Sequence, residues 1–393
     1  MTRFWSLSAA GFAATAIAFG PARMGFGLFV PAFRDAFALS TSAVGVVSSL
    51  GFLGYFVGLL VAQPLLARRG PRAPVLCGLA AATLGMGIVA LAPGTAVLAA
   101  GVFLATSSAG LAWTPFNNAV HRMVRDARRP TALSAISSGT GVGIALAGLA
   151  ALATALWGLS WRVCWALFAG ASALVLLANL AALRRVEKQP GGGPPEGWRA
   201  VARTAAIPLF VIGFAFGTTS AIFIAFAADH MVSAGGVAGV PTDATPALVY
   251  ICYGLAGLAG LATGRAEATI GLPRLLRLLM LAGALSVALV AIAPGSWAGL
   301  TLAAGLQGVH VMMTSAVLAF WSERLFPALP SLAFTAALLA TATGNVLGPA
   351  AAGIVSDAWG AGAMFLGAAV LPALTALFLR DRHVRDHPAG PAT

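Results

Sequence analysis

Apolar stretches of about twenty residues, interrupted by arginine or by Pro and Gly, succeed one another along nearly the whole of this chain. A bilayer core of roughly 30 Å takes about 20 residues of helix. Backbone immersed in lipid must satisfy its own hydrogen bonds. Such a chain is therefore expected to be an all-α membrane protein. Twelve stretches can be drawn, numbered here as spans 1 to 12, with approximate limits 6–33, 40–66, 72–92, 95–120, 131–156, 161–183, 205–229, 246–264, 272–293, 297–322, 331–356 and 359–379. Composition agrees, because only 9% of residues are charged where a soluble domain carries about a quarter. Little of the chain is left over for a soluble domain. Arg3 before an apolar run imitates a signal peptide, but the run continues far past a signal-peptide core and is read as span 1.

The net charge of +12 would suggest nucleic acid in a soluble protein. Here it is tested against membrane sidedness, and no nucleic-acid partner is expected. Placing successive loops on alternate faces puts 20 of the 23 Lys and Arg on one side, Arg3, Arg68, Arg69, Arg72, Arg324 and Arg380 among them. Arg34 and Arg162 fall on the other side and Arg23 within span 1. By the positive-inside rule the crowded face, with both termini, is cytoplasmic. Adding or removing one span would destroy the asymmetry. The localisation expected is a bacterial cytoplasmic (inner) membrane, and the protein is expected to be a monomer.

The longest polar connection, 184–204, contains Pro190–Glu196 with three consecutive glycines and reads as a flexible linker. It divides the chain into an N-terminal six-helix bundle (1–183) and a C-terminal one (205–380), followed by a tail (381–393). Cys77, Cys164 and Cys252 are isolated within apolar runs, so neither a disulfide framework nor a metal site is expected. No Walker sequence is present. Gly139, Gly141 and Gly143 lie within a membrane helix and not after a strand, so they are not a dinucleotide fingerprint. Neither a cofactor nor an enzymatic activity is expected.

The halves repeat one another weakly. The loop after span 2 carries Gln63, Ala67, Arg68, Gly70 and Arg72, and the loop after span 8 carries Gly264, Glu267, Ala268, Gly271 and Arg274, with frames offset by 201 residues. Thr140-Gly141 and Thr343-Gly344 are offset by 203. A fixed offset near half the chain length suggests duplication, the device by which transporters build two bundles around a central site. These loops resemble the signature of the major facilitator superfamily, Gly-x-x-x-Asp-Arg-x-Gly-Arg-Arg. Arg68, Gly70 and Arg72 keep their positions, whereas Gln63 replaces the leading Gly and Ala67 the Asp. The second copy keeps Gly264 and Gly271, with Ala268 at the Asp and Glu267 beside it. The resemblance implies the major facilitator fold of two six-helix bundles, with Arg68, Gly70, Arg72, Gly264 and Gly271 as gating residues. In that family the missing Asp belongs to a cytoplasmic gating network. Arg23 followed by Gly25-Phe-Gly-Leu-Phe-Val-Pro31 also looks like a branch of small bacterial permeases.

Gly-x-x-x-Gly pairs occur at Gly54/Gly58, Gly139/Gly143, Gly260/Gly264 and Gly344/Gly348, in spans 2, 5, 8 and 11. Small residues at that spacing let helices approach closely, and in the superfamily these four helices meet across the bundle interface. The pairs are therefore expected at that interface, although Gly213/Gly217 and Gly295/Gly299 fall outside the pattern.

The superfamily lines its cavity with spans 1, 4, 7 and 10, so polar residues there carry the functional expectation. Arg23 is too deep in span 1 to reach water easily. Every Asp and Glu lies in a loop or near a helix end, Asp229 being the one placed to reach down. Buried intramembrane charge is functional by default, and a guanidinium facing a wet cavity suits bidentate capture of a carboxylate. The alternative ties Arg23 to carbonyls freed by Pro21 or Pro31. His310 falls in the middle of span 10 and titrates near neutrality, which makes it the candidate proton carrier, with Gln307 one turn away. Trp113 and Asn117 share a face of span 4. Ser220 is the half-repeat counterpart of Arg23, and Tyr253 and Asn345 are further lining candidates. The function expected is secondary transport of a small anionic substrate, organic or inorganic, by alternating access, through proton symport or anion exchange. Two rivals remain. One is a proton-coupled exporter of lipophilic compounds, which would want an intramembrane carboxylate. The other is a membrane sensor or assembly partner without transport.

Overall fold

The computed structural model describes residues 3–124, 128–184, 201, 204–381 and 384. The linker expected at 184–204 and the tail expected at 381–393 lie almost wholly outside the described residues.

Ten helices are long and apolar enough to cross a membrane, and span 1, bent by 48° after Leu28, makes eleven. The last helix, Pro330–Phe378, has 49 residues. At 1.5 Å per residue that is about 74 Å, more than twice a bilayer core. It is broken at Gly360, where φ is 84°, a left-handed conformation that glycine adopts without a Cβ penalty. Spans 11 and 12 therefore occupy 330–359 and 361–378, and twelve crossings result. The others are Thr41–Arg69, Arg72–Ala90, Thr95–Met123, Arg129–Leu156, Trp161–Ala182, Ile207–Ser233, Leu272–Ile292 and Trp297–Leu325, with span 8 formed by Thr245–Gly257, a 3₁₀ turn and Thr263–Ile270. Most begin or end within a few residues of their expected limits.

Span 1 is three segments, Arg3–Phe19, Pro21–Leu28 and Val30–Phe37. Pro21 and Pro31 lack the N–H that would bond four residues back, so the ladder fails near each. The outer segment is held by rings: Phe33 meets Trp161 edge-on at 4.9 Å, and Phe29 lies 6.0 Å from Trp165. Span 6 thus props the bend from the side, and Arg23 sits in the first turn after the first break.

The spans group as two bundles. Spans 2 and 11, and spans 5 and 8, run against one another across the seam between them. Three of the four glycine pairs do not serve that seam. A Cβ on Gly54 or Gly58 would meet the backbone of Phe103 or Ser107 in span 4, one on Gly143 would meet Ala16 in span 1, and one on Gly344 would meet Phe214 in span 7. Gly260 packs on Met312 of span 10, and Gly264 faces open space. Apart from Gly260/Gly264, the pairs close helices inside each bundle, span 1 on 5 and span 7 on 11 in matching fashion. The seam is made close by other glycines. Gly141 and Gly254 touch between spans 5 and 8, and Gly45 and Gly353 approach Pro349 and Ser42 between spans 2 and 11.

The two loop-signature glycines take the same role in both halves. Gly70 (φ 72°) ends span 2 and Gly271 (φ 80°) ends span 8. Each turns the chain where an L side chain would be strained.

Candidate functional site

A cavity of about 310 Å³ lies in the seam. Its walls come from both bundles and include Phe19, Arg23, Met24, Tyr55 and Leu59 on one side and Phe216, Val311, Met312, Phe334 and Leu338 on the other. Ser134, Thr263, Gly264 and Phe320 also line it, and these belong to helix ends on the arginine-rich face. The cavity therefore reaches toward that face and ends inward at Arg23.

The opposite half of the seam is packed shut. A Cβ on Gly27 of span 1 would meet the Ile224 carbonyl of span 7. Arg34 Nε stands 3.0 Å from Asp229 Oδ2, while Arg34 Nη2 donates to Thr41 Oγ1 at 2.7 Å. The Ser42 N–H and hydroxyl both donate to Asp357, and the Ala350 N–H donates to Ser49 Oγ at 3.0 Å. Each pair except Arg34–Thr41 joins the two bundles. A second depression of about 330 Å³ lies over this closed end, lined by Arg34, Asp35, Asp229 and His230 among others. The two exceptions to the charge asymmetry are thus answered locally. Arg34 has Asp229, and Arg162 donates to the Ala90 carbonyl at 3.0 Å and stacks over Trp161 at 4.3 Å.

Arg23 makes no ion pair with an acidic residue among the described residues, Asp229 being taken by Arg34. No hydrogen bond ties it to carbonyls at the proline breaks. Its guanidinium carbon lies 4.6 Å from the Tyr55 ring centroid, 5.5 Å from that of Phe19 and 5.8 Å from that of Phe52, so aromatic faces carry part of its charge. The Asn345 amide, oriented to donate to the Gly217 carbonyl at 2.8 Å, accepts from Arg23 Nη2 at 3.3 Å. Arg23 Nε is buried without a partner. A void of about 10 Å³ on its far side, bounded by Ser48, Thr106 and Ile224, is about the room one water needs.

The other expected site residues divide. Asn345 meets Arg23 across the seam, whereas Tyr253 stacks on Phe223 with ring centroids 6.2 Å apart. Tyr253 Oη and both amide atoms of Gln307 are fully buried without partners, although neither residue lines the cavity. The Ser220 hydroxyl donates to its own helix at Phe216 O, 2.6 Å away, and also stays off the cavity wall. His310 points between spans 9 and 10. Its Nδ1 is 2.7 Å from the Leu279 carbonyl, Gly283 leaves room for the ring, and Phe216 lies edge-on at 5.4 Å between it and the seam. Trp113 and Asn117 lie on Thr95–Met123, with side chains outside those described. Arg68 and Arg72 make no ion pair among the described residues. The pair that does form near the second loop is Glu267 with Arg324, at 3.0 and 3.2 Å in a bidentate fork, within one bundle. Gln63, at the position of the missing signature glycine, donates to Thr335 at 3.0 Å across the seam. Neither bridge is signalled by sequence spacing, because each joins segments remote in the chain.

Twelve crossings in two bundles around a seam cavity are the architecture on which membrane transporters are built. A family model described as "Uncharacterised MFS-type transporter YbfB" matches residues 15–379, and the chain belongs to that family of major facilitator transporters. No curated protein sequence matches it. Among solved structures, a bacterial homolog of the human lysosomal transporter Spinster, in an inward-facing and unoccupied conformation, aligns over 100% of both chains with 17% identity and a TM-score of 0.77. The nucleoside transporter NupG aligns with 14% identity over 96% of this chain and 98% of its own, with a TM-score of 0.70. A mutant of NupG aligns over the same shares with 13% identity and a TM-score of 0.74. At such identities these likenesses speak for the fold.

Proposed function

We propose that the protein moves a small anion, with a carboxylate as the group recognised, across a bacterial cytoplasmic membrane, and that Arg23 is the anchor. The observation that carries this is the Arg23 guanidinium at the inner end of the seam cavity without an acidic partner among the described residues. Buried charge left uncompensated is costly, and a bound carboxylate would answer it with a charge-assisted fork. Asn345 then reports occupancy, since an anion that takes Nη2 competes with its amide oxygen. With the arginine-rich face cytoplasmic, the present arrangement is open to the cytoplasm. The exporter of lipophilic cations is less well supported, because no Asp or Glu among the described residues lines the cavity.

The test is a thermal-shift screen of the purified protein against mono- and dicarboxylates and inorganic anions, followed by flux of the hits in proteoliposomes. Anions should stabilise the wild type, weakly stabilise Arg23→Lys and leave Arg23→Ala unmoved. Equal stabilisation of all three would remove Arg23 as the anchor, and binding without flux would favour a sensor.

A further inference from the structure

We infer that the anion is a monocarboxylate bearing a bulky apolar body, aromatic or branched aliphatic, and that the site rejects dicarboxylates, inorganic oxyanions and zwitterions. This rests on the anion reading above and narrows it. Among the described residues, Arg23 is the single charged side chain lining the cavity. One guanidinium balances one carboxylate, and a second negative charge would lie against Leu59, Val311 or Leu338 with nothing to neutralise it. The ammonium of a zwitterion meets the same difficulty, since no described lining residue is acidic.

The lining hydroxyls do not repair this. Ser137, Ser138, Thr263 and Thr341 donate their protons to Leu133, Ala135, Gly260 and Ala337 carbonyls at 2.7, 2.8, 2.6 and 3.0 Å. They are left with lone pairs, which repel a second oxyanion and accept from a donor. Ser134, Thr140, Ser315 and the Tyr55 phenol complete the polar lining and carry no positive charge to balance a second anion. The Phe19 and Tyr55 rings lie 5.5 and 4.6 Å from the Arg23 guanidinium carbon, and the terminal N–H edge is the part of the group suited to a planar carboxylate. Beyond that edge the space runs between Met24, Phe216, Phe334 and Leu338. Its volume is near the lower end of the roughly 300–1,000 Å³ common for small-molecule sites, and its apolar walls favour a body that can be buried against them.

Binding to the purified full-length protein is measured by calorimetry with phenylacetate and 4-methylpentanoate, against acetate, succinate, sulfate, phenylalanine and phenylacetamide. The two apolar monocarboxylates should bind at least tenfold tighter than acetate, the others should give no heat, and Arg23→Ala should abolish binding. Ala316 also lines the cavity, on span 10; Ala316→Phe adds bulk there and should weaken phenylacetate more than tenfold while sparing acetate, with an unliganded melting temperature near wild type as the folding control. Succinate or sulfate binding as tightly as phenylacetate in an Arg23-dependent way would overturn the narrowed class and leave the anion reading standing. So would equal loss of acetate and phenylacetate in a folded Ala316→Phe protein. Phenylacetamide binding as well as phenylacetate, in wild type and Arg23→Ala alike, would overturn the anion reading itself, as would no binding by any carboxylate.

Discussion

Two residues in the membrane interior, Arg23 and His310, look equally conspicuous in the sequence and have opposite fates in the structure. Arg23 lines the seam cavity with its Nε unpartnered. His310 turns away from it and bonds the Leu279 carbonyl. The expected outcome for His310→Gln is uptake with an unchanged pH profile, measured in proteoliposomes from about pH 5 to 8, the range in which an imidazole titrates, because an amide can keep the bond to Leu279 and no path links the ring to the cavity. His310→Ala leaves that carbonyl and the Gly283 space unfilled. It should lower stability by about 1–3 kcal/mol, read as a reduced melting temperature in detergent. A profile that flattened in His310→Gln would support the proton-carrier role. The difference was not legible in sequence because it depends on rotation about the helix axis. Gln307, His310 and Thr314 recur on one face of span 10, but that spacing does not say whether the face meets the cavity or a neighbouring helix.

At the scale of helices, glycines do two separable jobs. Gly143 and Gly344 let spans 1 and 5, and spans 7 and 11, close within a bundle, whereas Gly27 meets Ile224 and Tyr250 of the other bundle. Gly143→Val should therefore prevent assembly of the N-terminal bundle and appear as lost folded yield on size exclusion. Gly27→Val should leave both bundles folded and wedge the closed half of the seam apart. Spin labels on the outer loops, one in each bundle, should then report a longer distance in Gly27→Val. An unchanged distance with normal folding would mean that the seam absorbs the side chain. The Gly-x-x-x-Gly spacing announced close helix contacts, but spacing alone does not name the partner helix.

For the whole molecule, the asymmetry between the ends of the seam is the main fact. One end opens into the cavity, and the other is held by Arg34–Asp229, Ser42–Asp357 and Ser49–Ala350. Asp229→Asn removes a charge from a pair that spans the bundles. It should shift the population toward opening at that end, seen as faster labelling of a Ser356→Cys background by a membrane-impermeant thiol reagent. Asp229→Glu should keep the wild-type rate, and equal rates in Asp229→Asn and wild type would show that packing alone holds the end closed. Substitution of Glu267 lies within one bundle and serves as the control, with no effect expected on that labelling.

Sequence by itself determined the number of crossings, the crowding of arginine on one face, the division into halves and the presence of one interior charge with no neighbouring carboxylate. These follow from hydropathy and charge counted along the chain, quantities that the bilayer reads span by span. Tertiary structure alone decided which end of the seam is open, that Asn345 reaches Arg23, that Gln63 bridges to Thr335, and that His310, Ser220 and three of the four Gly-x-x-x-Gly pairs face into bundles. Those depend on how twelve nearly featureless apolar cylinders are rotated against one another. That rotation is set by packing between distant segments, and a polar face within one span does not say which neighbour it meets.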